Sequence, residues 1–292
     1  MSQSDNVRLL IVDGHHLAYR SFYAIRSMNA PDGFPTNAIY GFIRAFEKMR
    51  NRLSPAHIAV IWDGGLDEER TEILDQYKAD RDPMPDEMEL QLDCIEQWLE
   101  ASGIYSYCGD GLEADDLIGT LAKRSEANGF ETIIASADKD FFQLINSKVR
   151  LLNSNDKTGT LWGSAEVEAK TGVKPHQIVD WLSLVGDNVD GILGVPGVGP
   201  KTATKLLIEH GDIKTIFERI SDIPREKLRK NLLAAKDDVI RNQKLIALKE
   251  IKDWKVDWGD LQPHQRDLPL LRKQYRNWNF RTMLKEVEEN LF

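Results

Sequence analysis

Apolar residues follow two rhythms along this chain. Residues 7–13 (VRLLIVD) form a short apolar run closed by an acid, and residues 57–63 (HIAVIWD) repeat that pattern. Residues 131–135 (ETIIA), running into Ser136-Ala137-Asp138, and residues 148–152 (KVRLL) read as two more buried strands. Helical stretches separate them, at roughly 36–52, 86–102 and 113–128. In the second of these, Met88, Leu92, Ile95 and Leu99 keep the helical spacing and Gly103 closes it. Strands alternating with helices predict a parallel α/β sheet. Ligands of such sheets bind beyond the carboxyl ends of the strands. Asp13, Asp63 and Asp138 each stand at such an end.

Beyond about residue 170 the strand signals fade. Helices are expected at 175–186, 200–210, 212–220, 224–234, 236–248 and 267–289, with a boundary near 165–172, where Gly163, Gly172 and Pro175 cluster. One segment fits neither rhythm. Residues 64–82 (GGLDEERTEILDQYKADRD) enter on a glycine pair, carry many charges and few large apolar side chains, and stop before Pro83 and Pro85. That composition predicts a projecting mobile loop or a marginal helix.

The bulk numbers narrow the class. A chain of 292 residues suffices for two modest domains, and 41% hydrophobic with 29% charged residues is ordinary for a water-soluble globular protein. No run is long enough to span a bilayer, and the opening MSQSDNVRLL lacks the apolar centre of a signal peptide, so a cytoplasmic, non-membrane protein is expected. Two cysteines, Cys94 and Cys108, exclude a disulfide framework and a cysteine-based zinc site. A net charge of −9 argues against a general polyanion binder. Divalent cations at the acidic positions would locally neutralise about half of that deficit.

The acids carry the chemistry. Asp13, Asp63, Glu113, Asp115, Asp116, Asp138, Asp140, Asp187 and Asp190 lie at strand ends or in acidic turns. Clustered carboxylates repel unless cations hold them, and oxygen-only ligands suit Mg²⁺ or Mn²⁺. A two-metal site of this type suits phosphodiester chemistry. In GLEADD, the acids Glu113, Asp115 and Asp116 fit helix capping as well as metal ligation. The second acidic turn, Asp138-Lys139-Asp140, together with Asp13 and Asp63, exceeds what capping needs. Asp187 and Asp190 are spaced so that one turn can aim both at a cation. After them, Gly194, Gly197 and Gly199 form a glycine hairpin before Pro200, Lys201 and Thr202. It can press backbone N–H groups on a phosphate, hold a monovalent cation through its carbonyls, or be an ordinary helical corner. It is not a Walker loop, because Pro200 follows Gly199 and no strand precedes it. In 64–82, Arg70, Tyr77, Lys78 and Arg81 suit a single nucleic-acid strand, although Glu68, Glu69, Asp80 and Asp82 fit a solvated loop equally well. His15 and His16 have no partners at metal spacing and read as caps or packing, and His57 and His210 read as structural.

The segments IVDGHHLAYRSFYA, AVIWD, QYKADRDPMP, GLEADDLIGTLA, SADKDFFQL and LVGDNVDGILGVPGVGPKTATKLL together resemble the 5′ nuclease domain at the N-terminus of bacterial DNA polymerase I. They also resemble the stand-alone bacterial and phage 5′–3′ exonucleases of the flap endonuclease superfamily. The likeness runs from about residue 7 to 290. It implies an α/β fold: a PIN-like parallel sheet flanked by helices over 1–170, with a helical arch at about 64–102. An all-α domain follows over 171–292, with a helix–three-turn–helix DNA-binding module at about 175–220. It implies hydrolysis of 5′-flap, nicked and gapped duplex DNA with a free 5′ end, and of RNA primers on DNA, during replication or repair. A separate DNA polymerase is a further expected partner.

Matched position by position, all nine acids fall on the family's ligand positions, Tyr77, Lys78 and Arg81 on its arch, and Arg20 on its basic residue after the first strand. Lys78 there polarises the scissile phosphate. The 194–202 hairpin matches the element that grips downstream duplex, with a bound K⁺ also implied. Two positions depart from the family pattern: Gly191 stands where Asn is usual, and Pro200 removes one hairpin N–H. The expected mechanism uses two Mg²⁺ about 4 Å apart. Asp13, Asp63, Glu113, Asp115 and Asp138 serve the first, and Asp116, Asp140, Asp187 and Asp190 the second, with Lys78 and Arg81 as a cationic clamp. The rivals are a non-catalytic DNA junction binder and a PIN-type ribonuclease, which lacks the 175–220 module.

Overall fold

A computed structural model describes residues 7–79, 82–153 and 158–289. The chain runs β1 (Arg8–Asp13), α1 (Gly14–Ala24), α2 (Asn37–Leu53), β2 (His57–Trp62), α3 (Glu68–Ile73), α4 (Asp86–Ala101), β3 (Tyr105–Cys108), α5 (Ala114–Ala127), β4 (Glu131–Ser136), β5 (Val149–Asn153) and β6 (Leu161–Trp162). It continues through α6 (Ser164–Thr171), α7 (Ile178–Val185), β7 (Gly186–Asp187), β8 (Ile192–Leu193), α8 (Pro200–His210), α9 (Ile213–Glu218), α10 (Glu226–Ala234), α11 (Lys236–Ile246), α12 (Leu268–Asn277) and α13 (Arg281–Glu289).

The six-stranded sheet has the order β3-β2-β1-β4-β5-β6. Only the β5–β6 pairing is antiparallel. Asp13 pairs with Ile61 and Val12 with Ala135, so β1, β2 and β4 end on one rim. That register brings Asp13, Asp63 and Asp138 to the same edge, as the pattern of apolar runs predicts. Among the described residues, no helix is long and apolar enough to cross a membrane.

Successive strand residues face opposite sides. Leu9, Ile11, Ala59, Ile61 and Ile134 enter one core, which continues through α5 into Leu182, Leu206 and Leu245 of the helical half. Leu10, Val12, Ile58, Val60 and Ile133 enter the other, beneath α2 and α4. There Phe42 stacks near Phe46 and Trp62, and Phe46 meets Trp98 edge-on. Each buried ring contributes about 2–3 kcal/mol of hydrophobic stabilisation. Leu271, Tyr275, Phe280 and Met283 of the C-terminal helices close this second core, and Trp98 donates to the Tyr275 hydroxyl at 2.8 Å. Both cores therefore include residues from either side of the boundary expected near 165–172, where α6 lies.

Several elements escape the periodicity. β3 is a short edge strand of half-buried Tyr105, Ser106 and Tyr107 and exposed Cys108, and has no apolar run. α1 begins directly on Asp13, with Gly14 in its first turn because a Cβ there would lie 2.6 Å from the Trp62 ring. The helix expected over 267–289 breaks between α12 and α13 at Asn279, which takes φ 58°.

Candidate active site

The rim acids come first. Asp13 ends β1 and caps α1, its Oδ1 accepting the His16 N–H at 3.0 Å. Its Oδ2 accepts from Ser136 Oγ at 2.8 Å, so β4 locks the carboxylate that β1 delivers. Ser136 Oγ also accepts the Asp138 N–H at 3.2 Å, and Asp138 Oδ1 accepts the Asp140 N–H at 2.8 Å. Asp63 Oδ1 accepts the Gly65 N–H, while its own N–H donates to His15 Nδ1 at 3.1 Å. His15 stands edge-on to Trp62, so it packs and positions, as expected.

Burial raises the carboxyl pKa of Asp13, only partly offset by the His16 and Ser136 hydrogen bonds. Asp115 and Asp140 lie well above the ordinary aspartate range, through burial and then the charge of Asp138. Asp138 is raised by burial and by the charges of Asp13, Asp190 and Asp187. Asp140 Oδ1 is buried without a hydrogen-bond partner. Crowded, desolvated, oxygen-only donors with an orphaned oxygen fit a divalent cation, which would relieve repulsion and desolvation together. Among the described residues, no group of three or more acids, histidines or cysteines already forms a ready cage.

The inner acids behave oppositely. Arg70 N–H groups donate to Asp116 Oδ2 at 2.7 Å and Oδ1 at 2.9 Å, and to Glu113 Oε2 at 2.9 Å. The Lys249 backbone N–H adds a 2.8 Å bond to Asp116 Oδ1. Glu113 Oε2 also takes Lys78 Nζ at 2.7 Å and the Tyr77 hydroxyl at 3.1 Å. These side chains are all buried. Burial alone would lower the Arg70 pKa, but the Asp116 and Glu113 carboxylates more than restore it. Lys78 follows the same balance, with Asp115 and Glu113 overriding burial.

The fold gives these two acids partners of their own. The Asp116 oxygens accept from Arg70 and the Lys249 N–H, and Glu113 Oε2 accepts from Arg70, Lys78 and Tyr77, so a metal bound at either competes with them. Arg70, 1% exposed, and Tyr77, 3% exposed, are interior residues in this fold. The described part of 64–82 does not project. It packs α3 and the following turn onto the acids, and Lys249 Nζ ties Asp67 (2.7 Å) and Glu69 (2.8 Å) to the helical half. Lys78 pairs with Glu113 and lies 3.9 Å from Asp115 Oδ2. Arg81 lies outside the described residues.

In the second half, the β7–β8 hairpin carries the remaining acids. Asp187 Oδ2 meets Lys139 Nζ at 2.9 Å and its Oδ1 accepts the Val189 N–H. Asp190 offers its backbone carbonyl to the Lys78 N–H at 3.1 Å. Gly194 is fixed by close approach, since a Cβ would lie 2.2 Å from the Val185 carbonyl oxygen. Gly197 takes φ 79°, and Gly199 caps α8 with open space around it. Gly197, Gly199 and Lys201 are exposed and Thr202 is half-buried. The Pro196 carbonyl is already taken by Asn231 Nδ2 at 2.7 Å. Arg20 is exposed on α1.

Residues 8–172 match the family described as 5′–3′ exonuclease, N-terminal resolvase-like domain, and residues 173–268 its C-terminal SAM fold. The chain belongs to the 5′–3′ exonuclease family. A 5′–3′ exonuclease of Aquifex aeolicus is 36% identical over 282 residues, covering 96% of this chain and 95% of that one. A thermostable DNA polymerase I of Thermus filiformis is 36% identical over 96% of this chain, but that match covers 33% of the polymerase. The chain thus spans about a third of the polymerase relative. A structure of the bacteriophage T5 D15 flap endonuclease, a pseudo-enzyme–product complex with DNA and metal ions, superposes with TM-score 0.68 at 20% identity. It covers 97% of this chain and 98% of that one.

The expected fold class stands: a PIN-like sheet flanked by helices, then a helical domain of SAM type. The chain is a 5′–3′ exonuclease, a hydrolase of phosphodiester bonds. Within this exonuclease, four contributors had no place in the sequence reading: Ser136, which holds Asp13; Lys139, which holds Asp187; Asp67, which caps α3; and Lys249. Lys139 stands between two predicted ligands and could have been read as their counter-ion. Lys249 belongs to no motif and becomes visible only when the chain folds back on α3.

Proposed function

We propose that this exonuclease is a structure-specific, divalent-metal-dependent 5′ nuclease, which uses Mg²⁺ or Mn²⁺ to cut 5′ flaps and the 5′ ends of nicked or gapped duplexes, and RNA primers on DNA. The observation that carries this reading is the rim of Asp13, Asp115, Asp138 and Asp140, packed at the strand ends, whose pKa values burial raises first and the charges of neighbouring acids raise further, with one oxygen left orphaned. The D15 flap endonuclease, which shares the fold, is seen with DNA and metal ions.

In this reading Asp13, Asp63, Asp115 and Asp138 hold one ion, and Asp140, Asp187 and Asp190 a second. When bound, such ions supply Lewis acidity for the phosphodiester and for the attacking water. The chain's own residues do the rest. Ser136 and the His16 N–H fix Asp13. Glu113 holds Lys78 in reserve one carboxylate below the rim, and a substrate phosphate near Asp115 competes for that ammonium. Arg81 is the second proposed cation of the clamp. The exposed Gly197–Lys201 edge, with Gly194 and Thr202 shaping it, meets the duplex backbone, with a K⁺ among its carbonyls, and Arg20 meets phosphate from the rim side. Residues 1–170 form the proposed catalytic unit and 171–292 the helical DNA-binding unit. A DNA polymerase is the proposed partner in replication or repair, and the cytoplasm the proposed location.

The test is a 5′-labelled flap duplex incubated with Mg²⁺ or with EDTA. Metal-dependent release of short 5′ products is expected. Binding without cleavage would overturn the proposal and make the chain a junction reader.

A further inference from the structure

The turn that carries Lys78 is docked on the turn that carries Asp190. The Lys78 N–H donates to the Asp190 carbonyl at 3.1 Å, and Lys78 takes φ 54°, a left-handed conformation rare outside glycine. Beside it the Gln76 carbonyl already accepts the Ala79 N–H at 3.2 Å and lies flat against Gly191. A Cβ at Gly191 would stand 2.5 Å from that Gln76 oxygen, closer than any real contact. Gly191 itself takes φ 71° and closes its turn on the Asn188 carbonyl. From the docked turn, Tyr77 and Lys78 both reach Glu113.

We propose that Gly191 is a positioning residue for Lys78. Its missing side chain lets the 74–79 turn seat on the 187–191 turn, and that seat fixes the backbone from which Lys78 aims its ammonium. The contact is backbone against backbone, so no side-chain rotation can relieve an added Cβ. The Gln76 carbonyl would have to retreat, the Lys78–Asp190 bond would open, and Lys78 would leave its left-handed conformation. Through this latch the 74–79 turn and the second acidic pair are tied together. The kinetic consequence rests on the proposed role of Lys78 in the nuclease reaction; the latch itself does not.

Two variants separate the causes. Asn, the usual family residue at this position, tolerates a positive φ, so Gly191→Asn tests side-chain bulk against the Gln76 carbonyl of this chain, whereas Gly191→Ala adds backbone strain. In EDTA, tryptic cleavage of the Lys78–Ala79 bond, now 5% exposed at Lys78, should accelerate about tenfold in Gly191→Asn and more in Gly191→Ala, with other sites unchanged. On a flap duplex, kcat should fall about tenfold with KM within about twofold. Added to Lys78→Ala, Gly191→Asn should cost no more than about twofold, because the group it positions is already gone. Unchanged trypsin sensitivity in both variants, with unchanged circular dichroism, would overturn the latch whether or not the protein cuts DNA. Faster proteolysis with rate losses that multiply would overturn the positioning of Lys78 and assign Gly191 to Asp190 instead.

Discussion

Glu113 and Asp116 occupy the same turn and helix start as Asp115, yet the two kinds of acid live under opposite electrostatics. The inner pair is buried and answered by Arg70, Lys78 and Tyr77. The rim acids, Asp13, Asp115, Asp138 and Asp140, are crowded mainly by one another, and burial pushes each pKa up. A buried charge is tolerated when paired and hydrogen-bonded. The inner pair meets that condition within the protein, whereas on the rim the chain's own donors and the distant Lys78 ammonium offset burial only in part, and a cation from outside would complete it. On the proposed reading the inner acids serve mainly the stability of the fold and the rim acids mainly its chemistry.

That contrast breaks most sharply by mutation on the rim. Asp138→Asn should lower metal-dependent cleavage by about a thousandfold or more, a few kcal/mol of transition-state stabilisation. The same change should raise the metal-free melting temperature, because it removes a repelling charge. Calorimetry in EDTA beside a cleavage assay checks both. A drop in metal-free stability would place Asp138 with the inner pair.

The inner pair should respond the other way. Arg70→Met keeps the volume but strands Asp116 and Glu113, and should cost about 3–5 kcal/mol in denaturant unfolding. A loss near zero, with only DNA affinity reduced, would restore Arg70 to the DNA-contact role that its basic neighbourhood suggests.

A smaller effect follows from pH. A carboxyl whose pKa is higher in the folded than in the unfolded chain binds its proton more tightly when folded. Between the ordinary aspartate value and the raised ones, stability is therefore gained as pH falls and lost as pH rises. In EDTA the melting temperature should rise on acidification through that window. Asp67, which the Lys249 hydrogen bond helps to hold below the ordinary range against burial, begins to cost stability only lower still. Saturating divalent cation should reverse the slope, since protons and metal compete for the rim. His15, His16 and His57, whose pKa burial lowers, oppose that gain as acid protonates them in the unfolded chain, so the decisive comparison is with Asp138→Asn: a metal-free slope that this substitution leaves unchanged would refute the repulsion argument.

The sheet was legible in the sequence because strand and helix periods are local: VRLLIVD and HIAVIWD announce both their burial and the acids at their ends. The carboxylates were legible as residues but not as roles. Nothing near Glu113 or Asp116 marks them as paired, because their partner Arg70 lies 43 and 46 positions away and Lys249 returns from 133 beyond Asp116. For the same reason 64–82 looked like a solvated loop: its charges are visible in sequence, but their buried counter-charges are not. Gly191 shows the reverse case. In the sequence it is only a departure from the usual Asn, whereas in the fold a Cβ there would stand 2.5 Å from the Gln76 oxygen.

The finest division runs through Asp187, which has one foot in each class. It is 6% exposed as a residue, and its Oδ2 is held at 2.9 Å by Lys139, an ammonium whose side chain is 41% exposed. Such a partner is a weak one, contributing no more than about 1 kcal/mol, and it competes with any cation for the same oxygen. Lys139→Ala should therefore leave melting in EDTA almost unchanged, while the Mn²⁺ concentration giving half the maximal thermal shift falls about two- to threefold. If half-saturation stays put, the ion does not touch Asp187, and this acid joins Glu113 and Asp116 as part of the scaffold. If it rises, Lys139 contributes to cation binding by ordering the Asp138–Asp140 turn, and the rim extends one residue further than its acids.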